Sequence, residues 1–475
     1  MSMSTGGTST GGTSTGGTST GGTSTGDPRI ADLSGLRIAV VNWRDPWHPQ
    51  AGGAERYAWE MARALVVRGA KVVFLTARAP EQPRAEQRAG IGIVRRGGRF
   101  TVYPRVLGWL LLRRWSFDAV LDCQNGIPFF TPLVLSRKVP VFCLVHHVHA
   151  VPFGVHFTWW MANVGRFLEG SAARLVYRRH ACVAVSPSAV AAMRRRLRWK
   201  GDIYLIPNGA PRADKVRTFL KVPNFPNTST YNPKNLVWVG RLVAHKRAEL
   251  LLPVAERLQL RLRNDRVVID VVGHGPAGKA LAAKVAAYGL DSTVRLRGFL
   301  PEPDKQALVA GSLLHLNTSQ GEGWGLCVIE AAALGVPTVA YDTDGLRDAV
   351  RDGQTGWLVK HGETLADVVD RALKELSDPV RRAAIAANCR QWAAQFDWGV
   401  STARMAALIQ AAVTAGTSRA HHHGAWIVTP VDAPDGRDAE VLAEGPVLDA
   451  LIAAGATVRR PATPLERLTG AGQPP

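Results

Sequence analysis

Ser319-Gln320-Gly321-Glu322-Gly323-Trp324-Gly325-Leu326-Cys327-Val328-Ile329-Glu330, followed by AAALGVPTVAYDT, places three glycines and two carboxylates between two elements of regular structure. The preceding SLLHLNTS reads as a short buried strand, and VIEAAALG reads as a helix ended by Gly335, so the glycines fall in a strand-to-helix turn. Gly323 and Gly325 leave the main chain bare there. The first amides of the helix have no intrahelical acceptor and can donate to a phosphate or a sugar hydroxyl. Glu322 lies before the helix and Glu330 about two turns later, which puts one carboxylate near the loop and one further along the same ligand. Two carboxylates suit a polyol better than a bare phosphate.

Working outward, the same strand-turn-helix theme opens each half of the chain. LRIAVVNW (36–43) is a buried strand, RDPWHPQAGGAERYAWEMARALVVRGA (44–70) is a loop, a Gly-Gly turn and an amphipathic helix closed by Gly69, and KVVFLT (71–76) is the next strand. That succession begins a doubly wound α/β domain. Gly52 and Gly53 sit where backbone can approach a diphosphate, with Glu55 at the helix start. The strand VPVFCLV ends in His146-His147-Val148-His149, and alternation puts His147 and His149 on one side and His146 on the other. LVWVGRLVAHKRAELLL (236–252) opens a second α/β domain, where Arg241 and Lys246 follow the strand directly and two cations can neutralise a diphosphate leaving group as its charge develops.

GEGWGLCVIE resembles the Glu-x7-Glu signature of the family 4 retaining glycosyltransferases, enzymes of the GT-B fold that use nucleotide sugars. The resemblance extends over about 36–412 and rests on five segments in the right order: GGAE, a His after a first-half strand, PNG, GRLVAHK and GEGWGLCVIE. It implies two Rossmann-like domains facing across a cleft, the nucleotide mainly on the second and the acceptor mainly on the first. Carried over by position, Glu322 and His146 hold the donor sugar, and His147 and His149 stay open as alternatives to His146. Glu330 holds the ribose. Gly52 and Gly53, Arg241 and Lys246, and the amides of Gly323, Trp324, Gly325 and Leu326 meet the diphosphate and sugar. No cofactor and no metal is implied, and the anomeric configuration is retained. A mannosyl donor is the expectation GGAE-type relatives suggest, with uridine-based donors equally compatible.

Composition bounds this reading. With 475 residues and an apolar fraction of 46%, each half is long enough to bury its own core. Five cysteines without a CxxC pair read as reduced core residues, which places the protein in the cytoplasm. A formal charge of +20 predicts attraction to polyanions. An anionic membrane face is the expected partner and nucleic acid is not, because a nucleic-acid-binding protein leaves Glu322, Glu330 and GGAE unexplained. YPRVLGWLLLRRWSF (103–117) and VHFTWWMANVGRFLEGSAARLVYRRH (155–180) mix Trp, Phe and Leu with Arg as interfacial helices do, and MRRRLRWK (193–200) concentrates Arg194, Arg195, Arg196, Arg198 and Lys200. The expected acceptor is therefore a lipid-linked or cell-envelope glycan at the inner face of the plasma membrane.

Two motifs point elsewhere and are set aside. Gly273, Gly275 and Gly278 form a G-x-G-x-x-G after a strand, the fingerprint of a nicotinamide-dependent oxidoreductase, but the acidic residue due at the end of the next strand is missing: VRLRGF ends in Gly298 and Phe299. Asp342-Thr343-Asp344 copies an Asp-x-Asp metal motif yet follows the Glu-x7-Glu helix and strand, and reads as a loop. A zinc site at the three histidines lacks an accompanying Cys or carboxylate cluster. The domain plan expected is a disordered STGGT-repeat tail over 1–34, the first domain over 35–212, a linker over 213–233, the second domain over 234–398, a terminal helix returning to the first domain over 399–415, and an extension of unassigned role over 416–475, with the pattern of a strand-helix-strand unit.

Overall fold

The computed structural model describes residues 31–148, 159–201, 203–210, 235–261, 267–415, 427–429 and 457–459. The repeat tail up to residue 30, the linker and His149 lie outside the described residues. Two parallel sheets form the two α/β domains.

The first sheet contains β1 (Arg37–Val41), β2 (Lys71–Thr76), β3 (Ala85–Arg88), β4 (Ile91–Arg95), β5 (Ala119–Gln124), β6 (Val141–Val145), β7 (Ala181–Ala184) and β8 (Ile203–Leu205). Their order is β3-β4-β2-β1-β5-β6-β7-β8, parallel except for the β3–β4 pair. Every residue of β5 and β6 is buried, as helices on both faces of a parallel sheet require. The helix α1 (Gly53–Val67) buries Tyr57, Ala58, Trp59, Met61, Ala62 and Leu65, an apolar stripe of helical period. Glu55 closes its first turn, its Oε2 accepting from the Gly52 amide at 2.8 Å.

The second sheet contains β9 (Leu236–Val239), β10 (Ile269–Val272), β11 (Val294–Gly298), β12 (Leu314–Asn317), β13 (Thr338–Tyr341) and β14 (Gly356–Val359), all parallel, in the order β11-β10-β9-β12-β13-β14. In each sheet the chain reverses its direction of winding beside the first strand: between β1 and β5, and between β9 and β12. Ligands of open α/β sheets bind outside the carboxyl ends of strands at such switch points. Gly52 and Gly53 follow β1, Arg241 follows β9, and the Ser319–Gly325 turn follows β12, so both switch points carry the residues singled out from the sequence.

The domains are tied at their back by the Trp398–Thr414 helix, which packs on α1. The Trp398 and Tyr57 rings lie 5.9 Å apart, and Gln410 donates to the Asp32 carbonyl at 3.0 Å. In the extension, Ile427–Thr429 and Thr457–Arg459 pair antiparallel, and the intervening helix-like segment lies outside the described residues.

One fully buried ion pair anchors the loop between β1 and α1. Arg95 Nε lies 2.5 Å from Asp45 Oδ2 with both side chains inaccessible, and Arg95 also holds Glu86. Removing one partner leaves a charge without its counter-ion in the interior. Arg95→Met is expected to lower unfolding free energy by about 3 kcal/mol, read as a lower denaturant midpoint, and the double variant Arg95→Met/Asp45→Asn should recover part of that loss.

Candidate active site

The two switch points touch. Arg241 Nη1 reaches across the cleft to the Gln50 carbonyl at 3.2 Å, and a Cβ built on Gly52 would lie 3.6 Å from Arg241 Nε. A Cβ on Gly53 would meet Leu326 Cδ2 at 3.7 Å, and one on Gly323 would overlap the His146 carbonyl oxygen outright. Glycine at 323 is therefore required by the approach of the two walls. Gly325, at φ +82°, caps the Leu326–Ala333 helix and turns its first amides toward this same space.

Glu322 and Lys246 form an ion pair, and Ser319 Oγ donates 2.7 Å to the same carboxylate oxygen. Burial pushes the Glu322 carboxyl up. The Lys246 charge and hydrogen bond, the Ser319 hydroxyl and the His245 charge together outweigh burial and hold it below its ordinary 4.5. It is an ionised acceptor at neutral pH. Its main chain is held too: the Glu322 amide donates to the Asp344 carbonyl at 2.9 Å.

Glu330, the second carboxylate, is bracketed by cations from both domains. Arg56 Nη1 on α1 lies 2.6 Å from Oε1, and Lys305 Nζ lies 3.2 Å from Oε2. Burial pulls the Lys305 ammonium down, but Glu330 and Glu302 together raise it above its ordinary value, so both cations stay charged.

His146 and His147 occupy different surroundings. His146 is buried, with its ring edge-on to Tyr57 at 5.0 Å, while the His147 ring lies beside Gly321, whose added Cβ would be 3.6 Å from Cε1. Trp324 turns its side chain into the core against Phe396, ring centroids 4.8 Å apart, so what it offers the cleft is its main-chain amide. Burial pushes the thiol of Cys327, directly after Leu326, up to about 12, so it is held protonated at neutral pH.

The two set-aside motifs have structural employment. A Cβ on Gly273 would overlap the Gly240 carbonyl and one on Gly275 the Leu242 carbonyl. Leu242 donates to the His274 carbonyl at 3.0 Å and accepts from the Ala277 amide at 2.9 Å. The glycines thus let the β10 turn press against the loop that presents Arg241 and Lys246. In the Asp-x-Asp motif, Asp342 pairs with Arg347 at 3.0 Å and Asp344 with Arg196 of the first domain at 3.1 Å. Among the described residues no cluster of His, Cys, Asp or Glu has the makings of a metal site.

Within MRRRLRWK, Arg196 is exposed and pairs with Asp344, Arg194 donates to the Trp199 and Gly201 carbonyls, both at 2.9 Å, and Arg195, Arg198 and Lys200 are exposed. The same helix, Pro187–Arg195, takes the Asp348 carboxylate at its N-terminus, the Ser188 amide donating at 2.9 Å. Sequence reasoning missed Arg56, Lys305, Ser319 and Asp348. Arg56, Lys305 and Asp348 carried no local signal, while Ser319 stands in the quoted glycine-rich stretch without a role of its own.

Two doubly wound domains with a polar site between their switch points define a GT-B glycosyltransferase architecture. A family model described as "Glycosyltransferase Family 4" matches residues 51–214, and one described as "Glycosyl transferases group 1" matches residues 224–392. The chain belongs to the family 4 glycosyltransferases of GT-B fold.

Among curated relatives, a D-inositol 3-phosphate glycosyltransferase from Thermobispora bispora is 34% identical over 188 residues, covering 36% of this chain and 41% of that protein. An alpha-D-kanosaminyltransferase from Streptomyces kanamyceticus is 32% identical over 155 residues, covering 32% and 39%. The match spans about two fifths of the length of these relatives. Similar solved structures include sucrose-phosphate synthase from Thermosynechococcus elongatus (TM-score 0.63, 20% identity, 78% of this chain and 97% of that one). WaaG, a glycosyltransferase involved in lipopolysaccharide biosynthesis, is also similar (0.60, 18%, 78% and 99%), as is Anabaena HepE in complex with UDP and glucose (0.57, 18%, 78% and 98%). At these identities the likeness establishes the fold.

Proposed function

We propose that this protein moves a hexosyl group, with GDP-mannose the first donor to try, from a nucleoside diphosphate sugar to a hydroxyl of a lipid-linked or cell-envelope glycan, with retention of configuration and without a metal. The observation that carries the reading is the meeting of the two switch points: Arg241 and Leu326 approach the Gln50–Gly53 turn of the opposite wall, and Gly321 and Gly323, on either side of the Glu322 that Lys246 and Ser319 hold, approach His147 and His146. Arg241, Lys246 and the amides after Gly323 take the charge of the departing diphosphate. Glu322 and His146 hold the sugar. The bond from the anomeric carbon to the phosphate oxygen breaks, the acceptor oxygen attacks from the same face, and its proton passes to the departing phosphate. The Asp342–Arg347 and Asp344–Arg196 pairs support a metal-free reading, since both carboxylates of the Asp-x-Asp motif already have cationic partners.

A thermal-shift screen against GDP-, UDP- and ADP-sugars and NADH, without added metal, tests this. One nucleotide sugar should raise the melting temperature of the protein and fail to do so for Glu330→Ala and Lys246→Ala. No shift with any sugar nucleotide, or a shift with NADH alone, removes the ground for the assignment. D-inositol 3-phosphate, which the relatives' names carry, belongs in the acceptor panel.

The membrane-face part of the proposal, on the cytoplasmic side, is supported by exposed aromatic and apolar side chains set among arginines. Trp115 is 67%, Trp159 81%, Trp160 61% and Phe167 60% exposed, and Arg113 and Arg114 lie over the Trp109 and Trp115 rings. Among the described residues no helix is long and apolar enough to cross a membrane. The affinity for vesicles containing phosphatidylglycerol, read by co-sedimentation, should fall by about thirtyfold in Trp159→Ser/Trp160→Ser, each buried indole contributing on the order of 1 kcal/mol. Equal binding to neutral vesicles would remove the charge argument.

A further inference from the structure

Arg56 stands where the nucleotide of the proposed donor has to enter. It rises from the first turns of α1, on the first-domain wall, and places Nη1 2.6 Å from Glu330 Oε1, 274 residues away in sequence. Lys305, from the second domain itself, lies on the other oxygen at 3.2 Å and is in turn held by Glu302 at 2.9 Å. Both oxygens of Glu330 are therefore engaged by cations of the protein itself. The two cations differ in what their departure would cost. Lys305 shares the domain of Glu330 and remains beside it however the domains move, whereas Arg56 must withdraw whenever they separate.

We propose that Arg56 is a cross-cleft latch. Its guanidinium closes the two domains on each other in the donor-free protein, occupies the space in front of Glu330 Oε1, and is exchanged for the two ribose hydroxyls when a nucleoside diphosphate binds. Lys305 makes the exchange feasible, because Glu330 keeps one counter-ion throughout and is never a lone buried carboxylate. Contacts next to the latch move with it. Gly53 and Leu326, a turn before Arg56 and Glu330 respectively, face each other across the same seam. The latch rests on the reading of Glu330 as the ribose-binding carboxylate, and its test separates the two.

Isothermal titration with UDP, GDP and ADP, each run separately, compares the wild type with Arg56→Met, Glu330→Gln and the double variant. Methionine keeps the apolar stem of the side chain, and Arg56→Gln serves as a second variant with the same expected sign. The nucleotide that binds should bind Arg56→Met about three- to tenfold more tightly, the scale of one partly buried ion pair released. That gain should vanish in the Glu330→Gln background and with the 2′,3′-dideoxy form of the same nucleotide. Weakened or unchanged binding to both Arg56 variants, with Glu330→Gln still impaired, overturns the latch and leaves the ribose reading standing. Unimpaired binding to Glu330→Gln overturns both.

Discussion

Lys246→Met should lower kcat/KM for the proposed hexosyl transfer by about a thousandfold, the upper end of the loss on removing one preorganised donor from a developing oxyanion. Two effects add. The departing diphosphate loses a cation, and Glu322 loses the partner that keeps it ionised in a buried position. The second effect has a signature of its own. In the native protein the Glu322 carboxyl lies below 4.5, so the stability it contributes is present above that value and is lost as pH falls through the lowered one. Without Lys246, burial is opposed mainly by Ser319, and the carboxyl moves upward. The sign then inverts: Lys246→Met should lose stability as pH rises above the ordinary carboxyl value of 4.5, because the folded state favours the protonated acid. Melting temperatures on either side of that value measure this, and Lys246→Met/Glu322→Gln should recover the melting temperature at pH 7 without recovering activity. A Lys246→Met protein whose stability does not depend on pH would mean that Ser319 and His245 suffice to hold the charge without the ion pair.

What could be read from the sequence divides along chain distance. The turn after β12 and the cations after β9 are local patterns, a few residues of glycine or base placed directly behind an apolar strand, and the sheets put them at switch points as strand-turn-helix periodicity requires. The contacts that couple the domains have no such pattern. Arg56 and Glu330 meet across 274 residues, and Ser188 and Asp348 across 160. In sequence Arg56 is one more charge on a helix and Asp348 one more on a loop. Trp324 illustrates the opposite difficulty. Its place inside the glycine turn aligns it with ligand-binding neighbours, but an indole there packs more favourably on Phe396 than in an aqueous cleft.

Gly273→Ala separates a packing role from a cofactor role for the G-x-G-x-x-G. Gly273 has φ +134°, a conformation that L side chains rarely adopt, and an added methyl would overlap the carbonyl oxygen of Gly240, which is backbone and cannot rotate away. Strain and overlap together are expected to cost on the order of 5 kcal/mol. Gly298→Ala is the control, since Gly298 also has positive φ, +66°, but nothing lies within 4 Å of its added Cβ. Its cost should be that of the left-handed backbone alone, about 1 kcal/mol. The difference between the two denaturation curves thus measures the contact with Gly240 together with the extra strain of φ +134° over φ +66°. That contact bears on chemistry because Gly240 directly precedes Arg241. If the β10 turn has to back away, the loop it supports moves, and Arg241 no longer reaches the Gln50 carbonyl and the Gly52 turn. Whatever folded Gly273→Ala protein can be recovered should therefore bind the donor diphosphate weakly, while wild type and variant alike fail to bind NADH. Retention of full stability and donor affinity would show that the two loops are not pressed together, and a wild-type affinity for NADH that the variant loses would return the motif to the oxidoreductase reading.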